Sequence, residues 1–186
     1  TANPLRDLCV VFGYQDDRHF YFAHFAAATS AGVNMIALVN GGDRVPIHLD
    51  KNPPARLKDA AFHQVKVERN AQTGAIKVYI DDMKAPAMVA RDTTFASGKI
   101  GFSSLGDRGF FDDVVIRGER AAPAAAGGAG DAAAPAPDAA LLTAQPPPLK
   151  VLYRGDFAGG KAEGWTPREG NRWEVLRDAA PDDPFF

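Results

Sequence analysis

Residues 62–118 read FHQVKVERNAQTGAIKVYIDDMKAPAMVARDTTFASGKIGFSSLGDRGFFDDVVIRG, and this stretch decides the fold. Apolar and polar residues alternate over 65–68 and again over 76–81, which is the period of half-buried β-strands. The intervening segment 70–74 ends in a glycine that can adopt positive φ, so it predicts a hairpin loop. The centre of the chain therefore predicts paired antiparallel strands.

A second pair of strands is predicted at 99–103 and 110–117, joined by the loop 105–109. Four short strands at regular spacing, each with one apolar face, favour an antiparallel β-sandwich. At most one short helical turn is expected, at Ala55–Ala61, so the sequence predicts an all-β class. Further strands are predicted in the first third of the chain, at Leu8–Tyr14, His19–Phe25, Asn34–Asn40 and Val45–Leu49.

Four motifs occur in a fixed order: H-x-V-K-V-E-R, G-x-I-x-V-Y-x-D, F-x-S-G-K-I-G-F-x-S and F-D-D-V-V-I. This order resembles the C-terminal half of concanavalin A-like jelly rolls of the laminin G-like type, which are common in large secreted bacterial proteins. The resemblance covers Leu8–Gly118 and implies an antiparallel jelly-roll β-sandwich. It also implies an extracellular, periplasmic or cell-surface location. Its motifs are specific to a fold and not to a reaction.

The composition changes after Glu119 to Ala, Pro and Gly, which bury too little surface to offset the entropy of ordering. The sequence thus predicts the late portion of a jelly roll at 1–118, a flexible linker at 119–149 and a last segment at 150–186. The last segment has predicted strands at Val151–Phe157 and Trp173–Arg177.

The last segment carries L-Y-x-x-D-F, G-W-T-P and W-E-V, which resemble the opening of the same family. It is therefore interpreted either as the start of a second module or as returning strands of the same sandwich. In both cases the jelly roll is incomplete or permuted. Return of these strands to the sheet of another copy would give a strand-swapped homo-oligomer.

Composition excludes some partners. The formal net charge is -2 and lysines and arginines are scattered, which disfavours nucleic acid, because phosphate binding needs a basic face. No apolar run approaches the roughly 18 residues that span a bilayer.

Cys9 is the single cysteine, so there is no disulfide framework, and its apolar neighbours predict a buried, inert thiol.

The segment Tyr14–Tyr21 combines aromatic and polar side chains. A sugar presents an apolar face and a ring of hydroxyl groups, so its site needs aromatic rings beside hydrogen-bonding side chains. We therefore expect non-catalytic binding of a glycan or an extracellular protein. The predicted ligand-binding residues are Gln15, Asp16, Arg18, His19 and Tyr21.

Two alternatives stay open: a glycoside hydrolase-like domain related to concanavalin A-like glucanases, and a structural spacer module. Glycoside hydrolysis uses two carboxylates on one bond, and the jelly-roll glucanase pattern E-x-D-x-E does not occur. Adjacent aspartates on one strand point to opposite faces and cannot act together. Catalysis is therefore disfavoured, without being excluded.

Asp112 shares the predicted core face of the strand 110–117. A carboxylate there would need hydrogen bonds from the backbone, and the alternative is a site for Ca²⁺, which prefers oxygen ligands. Hydrogen bonding is favoured, because no dense aspartate loop supplies further ligands. No other cofactor is expected.

Overall fold

A computed structural model of the chain describes residues 6–30, 32–48, 56–104, 107, 109–119, 149–155, 157 and 162–166. Within these residues every regular element is a β-strand, and neighbouring strands pair antiparallel, so the predicted all-β class is confirmed for them. Residues 56–61 contain bends and no helical turn, so the short helical turn predicted there is not found in them. No apolar helix of membrane-spanning length occurs in this described part.

Ten strands are described: β1 Asp7–Asp16, β2 His19–Ala26, β3 Met35–Asn40, β4 Val45–Pro46, β5 Val65–Arg69, β6 Ala75–Ile80, β7 Met88–Arg91, β8 Lys99–Ser103, β9 Val114–Arg117 and β10 Val151–Gly155. Sheet A has the order β4-β3-β2-β1-β8, and sheet B has the order β5-β6-β7. These two sheets belong to one compact unit, while β9 and β10 pair in a second one.

Sheets A and B share one hydrophobic core, to which alternate residues of each strand contribute. Phe12, Tyr21 and Phe25 come from sheet A, and Ile76 and Val78 come from sheet B. These side chains are almost completely buried, because a strand sends every second side chain to the same face. The period-two pattern of the sequence thus marks the faces on which the two sheets meet.

Sheet A also has an apolar outer face. Cys9, Phe22, Met35 and Ala37 form a second buried cluster there, against which Val11, Phe20 and Val39 pack. The prediction that Cys9 is buried is confirmed. Burial first, and the nearby Asp7 second, raise the pKa of its thiol to about 12. This second cluster explains why β1 and β2 are apolar on both faces.

The predicted hairpin between 99–103 and 110–117 is wrong. β8 pairs with β1 instead, through partners such as Val10 and Phe102, and it forms the edge of sheet A beside that strand. The other predicted strand is shorter than expected, since β9 begins only at Val114. The ten-residue strand β1 has backbone hydrogen-bonding groups on two edges. One edge pairs with β2, and the other pairs with β8.

Two glycines let β8 approach β1. Gly13 has φ of 60° and sits where the register of β1 shifts against both neighbours. A Cβ atom on Gly98 would lie 2.3 Å from the carbonyl carbon of Gly13, which no side chain tolerates. The S-G-K-I-G-F motif therefore has a steric reason for its first glycine.

In the second compact unit, β10 pairs with β9, with Val151 opposite Arg117 and Gly155 opposite Val114. The ring of Trp165 lies edge-on to Tyr153, with ring centroids 5.8 Å apart. The predicted strand Trp173–Arg177 and residues 120–148 of the predicted linker lie outside the described residues. The segment boundaries and the exchange of strands between chains stay predictions.

The shared core gives a direct test of the assigned faces. Val78→Ala removes two buried methyl groups between the sheets, and it should lower the unfolding free energy by about 1–3 kcal/mol in urea denaturation. Val45→Ala makes the same change at an exposed edge position and should stay within about 0.5 kcal/mol of the unmodified chain. Equal effects at the two positions would contradict the face assignment.

Candidate functional site

The turn between β1 and β2 holds several exposed polar side chains in one network. Asp16 Oδ1 accepts hydrogen bonds from the backbone N–H of Arg18 at 2.8 Å and lies 2.8 Å from His19 Nδ1. The Arg18 N–H first, and His19 second, stabilise this carboxylate and hold the pKa of Asp16 below its usual range. Asp16 is therefore an ionised acceptor at the surface.

The neighbouring turn between β3 and β4 fixes Arg18. Its guanidinium donates to the carbonyl of Gly41, and the Gly41 N–H donates back to the Arg18 carbonyl at 2.8 Å. The His19 ring lies edge-on to Phe95, with centroids 6.2 Å apart. The two turns are thus connected, and the orientation of both basic side chains is set by contacts within the protein.

Tyr14 and Gln15 extend this network on the β1 side. The Tyr14 hydroxyl donates to Asp17 Oδ1 at 2.6 Å, and the Gln15 amide donates to the Ser97 carbonyl at 2.5 Å. The half-buried ring of Tyr14 packs at 6.0 Å from Phe20. We call the set Tyr14, Gln15, Asp16, Asp17, Arg18 and His19 the hairpin cluster.

Four of the five predicted ligand-binding residues belong to the hairpin cluster, and Tyr21 does not. Tyr21 is completely buried in the core and stacks on Phe12, with ring centroids 5.4 Å apart. Its hydroxyl donates to Asp92 Oδ1 at 2.5 Å and accepts from the Phe95 N–H at 3.0 Å, while the Arg69 guanidinium lies 4.6 Å from the ring centroid. Tyr21 is therefore a core residue, and its hydrogen bonds connect β2 to the segment that contains Asp92 and Phe95.

Sequence reasoning did not single out Tyr14 as the aromatic member of the cluster. Strict alternation would give a single register along β1, but Gly13, Tyr14 and Gln15 all lie opposite the single residue Phe20. This bulge presents Tyr14 beside the turn. The signal was Gly13, because a glycine inside an apolar strand indicates a bulge.

Asp112 lies outside any strand and is exposed, so its predicted place on a core face is wrong. Its Oδ1 accepts a hydrogen bond from the Asp113 N–H at 2.8 Å, which is the backbone bonding that the sequence favoured. No group of three His, Cys, Asp or Glu side chains in the described residues has a metal-binding arrangement. Calcium binding at Asp112 stays a prediction.

A buried pair of polar side chains lies on the outer face of sheet A. His24 Nε2 is 2.7 Å from Asp7 Oδ2, and both side chains are at most 1 % exposed. Burial lowers the pKa of His24 below its ordinary value of 6.5, although the hydrogen bond and charge of Asp7 oppose this. Burial therefore favours the neutral form of His24, whose Nε2 lies within hydrogen-bonding distance of Asp7.

Cys9 is the strand partner of His24, and Asp7 lies on the same face of β1. The three side chains resemble a nucleophile, base and orienting group only in composition. His24 Nδ1 is enclosed without a hydrogen bond, so it does not hold the thiol, and the raised pKa of Cys9 keeps the thiol protonated. The arrangement supports packing and not nucleophilic chemistry.

Comparisons with protein-family models, with curated proteins and with solved structures give no match for this chain.

The Tyr21 hydroxyl should contribute measurably to stability. Tyr21→Phe removes the buried hydroxyl that donates to Asp92 and accepts from the Phe95 N–H, so the unfolding free energy should fall by about 1–3 kcal/mol in chemical denaturation. Tyr14→Phe removes a hydroxyl at the turn and should change it by no more than about 0.5 kcal/mol. If both substitutions were neutral, the hydrogen bonds of the Tyr21 hydroxyl would not contribute to stability.

His24 should make stability depend on pH. The folded state favours neutral His24, whereas the unfolded chain protonates it near 6.5. Its contribution to the unfolding free energy is thus fully present above pH 6.5 and is lost as the pH falls toward the lower folded-state pKa.

His24→Gln keeps a donor for Asp7 and removes this titration. Urea denaturation at pH values on both sides of 6.5 should therefore show a flatter decline for the variant. An unchanged slope would assign the pH dependence to other groups.

Proposed function

We propose that the chain is part of a concanavalin A-like jelly-roll β-sandwich, incomplete or permuted, that binds carbohydrate without catalysis through the hairpin cluster. The core between sheets A and B supports the sandwich, because two sheets that bury their facing side chains against one another have this architecture. In this proposal the chain serves as a binding module of a secreted or cell-surface protein.

The observation that carries the binding proposal is the composition of the hairpin cluster. Asp16 and Asp17 supply acceptors for sugar hydroxyls, Arg18 and Gln15 supply donors, and the Tyr14 ring offers an apolar surface. Each of these side chains is oriented by contacts within the protein. Binding would therefore cost less ordering entropy than it does for freely rotating surface side chains.

A glycan array probed with the full chain tests this function. Arg18→Ala removes a donor of the cluster, and Tyr14→Ala removes its aromatic surface. Each should weaken binding of a retained glycan by roughly fivefold or more in calorimetry, because each deletes a contact of about 1 kcal/mol. The melting temperature should change little for Arg18→Ala, since this side chain is exposed.

Lys58→Ala is the matched control, because Lys58 is also an exposed cation but follows Leu57, whose N–H donates to the Ala26 carbonyl at the end of β2 away from the turn. This variant should bind like the unmodified chain. If no glycan were retained on the array, the carbohydrate proposal would fail and protein binding would have to be tested instead. Release of reducing sugar from a bound glycan would favour the hydrolase alternative.

A further inference from the structure

Strand β5 lies at one end of sheet B, and in the described part of the chain it pairs only with β6. None of its residues is fully buried. The edge of a sheet presents backbone N–H and C=O groups to which a further strand can add. The free side of β5 is therefore a surface on which another chain can extend sheet B.

The hydrogen bonds that flank β5 fix which of its backbone groups point to this edge. Just before the strand, the Asp81 N–H donates to the Gln64 carbonyl at 2.8 Å. Just after it, the Asn70 N–H donates to the Ala75 carbonyl at 2.9 Å. Residues that bond to the neighbouring strand alternate with residues whose backbone groups point away from it, so the even-numbered residues of β5 bond to β6. We call the remaining backbone N–H and C=O groups the edge groups, and they belong to Val65, Val67 and Arg69.

The other two residues of β5 have opposite charges and lie on the outer face of sheet B, because Val65 and Val67 pack against the core. Lys66 Nζ lies 2.9 Å from Glu68 Oε1, and the two side chains are 37 % and 27 % exposed. Glu68 also accepts the Tyr79 hydroxyl at 2.8 Å. A carboxylate accepts about four hydrogen bonds and an ammonium group donates three, so both groups have capacity for a further partner.

We propose that β5 pairs antiparallel with β5 of a second copy of this chain, with Val67 opposite the partner's Val67. In this register the edge groups of one strand face those of the other, because Val65 then lies opposite the partner's Arg69. Both strands thus satisfy backbone groups that β6 leaves unpaired. The two copies of sheet B become one continuous antiparallel sheet, and this association does not depend on carbohydrate binding.

Charge selects this register. With Val67 at the centre, Lys66 faces the partner's Glu68 on both sides of the axis, in pairs of the kind that bring facing side chains closest together. A shift by two residues in one direction would place Lys66 opposite the partner's Lys66, and a shift in the other direction would place Glu68 opposite the partner's Glu68. Like charges in such positions are destabilising. The strand is therefore complementary to itself in one register, as a twofold-symmetric interface requires.

Sedimentation of the full chain over a range of concentrations tests this pairing. The contact is one short strand pair, so the dimer should be weak and should form mainly at high protein concentration. Lys66→Glu places a glutamate opposite the partner's Glu68, and Glu68→Lys places a lysine opposite the partner's Lys66. Each substitution should weaken association roughly tenfold, because it creates a repulsive pair on each side of the axis. A chain that stays monomeric at every concentration would overturn the proposal.

Mixing the two variants separates repulsion from loss of structure. Every facing pair between the two different chains joins opposite charges, so an equimolar mixture should form mixed dimers where neither variant dimerises alone. If mixed dimers did not form, the substitutions would act through the fold and the pairing would be wrong.

Arg44→Glu is the control, because it makes the same change of sign at an exposed position just before β4. His48, which follows β4, forms a bridge with Ala90 of β7, and β7 and β5 are at opposite ends of sheet B. The control should therefore associate like the unmodified chain. Equal weakening by Arg44→Glu and Lys66→Glu would contradict an interface at β5.

Amide hydrogen exchange at low and high protein concentration locates the contact. The N–H groups of Lys66 and Glu68 should be protected at both concentrations, because they bond to β6. Those of Val65, Val67 and Arg69 should exchange quickly in the monomer and become protected at high concentration. If these edge groups were already protected in the monomer, another part of this chain would cover the edge and the proposal would fall. A dimer in which they stayed unprotected would have its interface elsewhere.

Discussion

The Tyr21 hydroxyl connects the parts of the fold on which the rest depends. Tyr21 lies on β2 of sheet A, while its partner Asp92 directly follows β7 of sheet B. The same oxygen accepts the Phe95 N–H, and Arg69 of β5 covers the ring. One side chain thus joins both sheets and the segment that leads to β8. Because it is enclosed, any polar partner left unpaired here would be costly, and this favours a single arrangement of the two sheets.

The two sheets present different outer faces. The outer face of sheet A is an apolar cluster around Phe22 and Met35, whereas that of sheet B is a charged network around Glu68. Sugar binding is proposed at the turn of sheet A, where a bulge brings Tyr14 beside polar residues. The core between the sheets fixes which side chains of the neighbouring strands point outward, because side chains alternate between the two faces along each strand.

Sequence periodicity was sufficient to predict the strands that contain Val67 and Val78, because each of these strands has one apolar and one polar face. It missed β7, whose four residues are too few for a clear period. It also mispaired β8, since pairing depends on the close approach of Gly98 to Gly13, which no local pattern reveals. Of the candidate site, the exposed turn residues were recognisable from composition. Tyr21 points inward because it shares the core face of β2 with Ala23 and Phe25, and the sequence alone left open which face of this strand is buried. The place of Tyr14 depends on the bulge.

The pairing of β9 with β10 has a consequence for how the chain associates with itself. Arg117 of β9 pairs with Val151 of β10, and the chain between these two residues acts as a tether. The tether sets the effective concentration at which β10 meets β9. Two strands linked in one chain generally meet at an effective concentration well above that of separate molecules. A second molecule present at micromolar concentration competes poorly against such a tethered strand. Cutting the tether would remove this advantage and turn a concentration-independent contact into one that dilution dissociates.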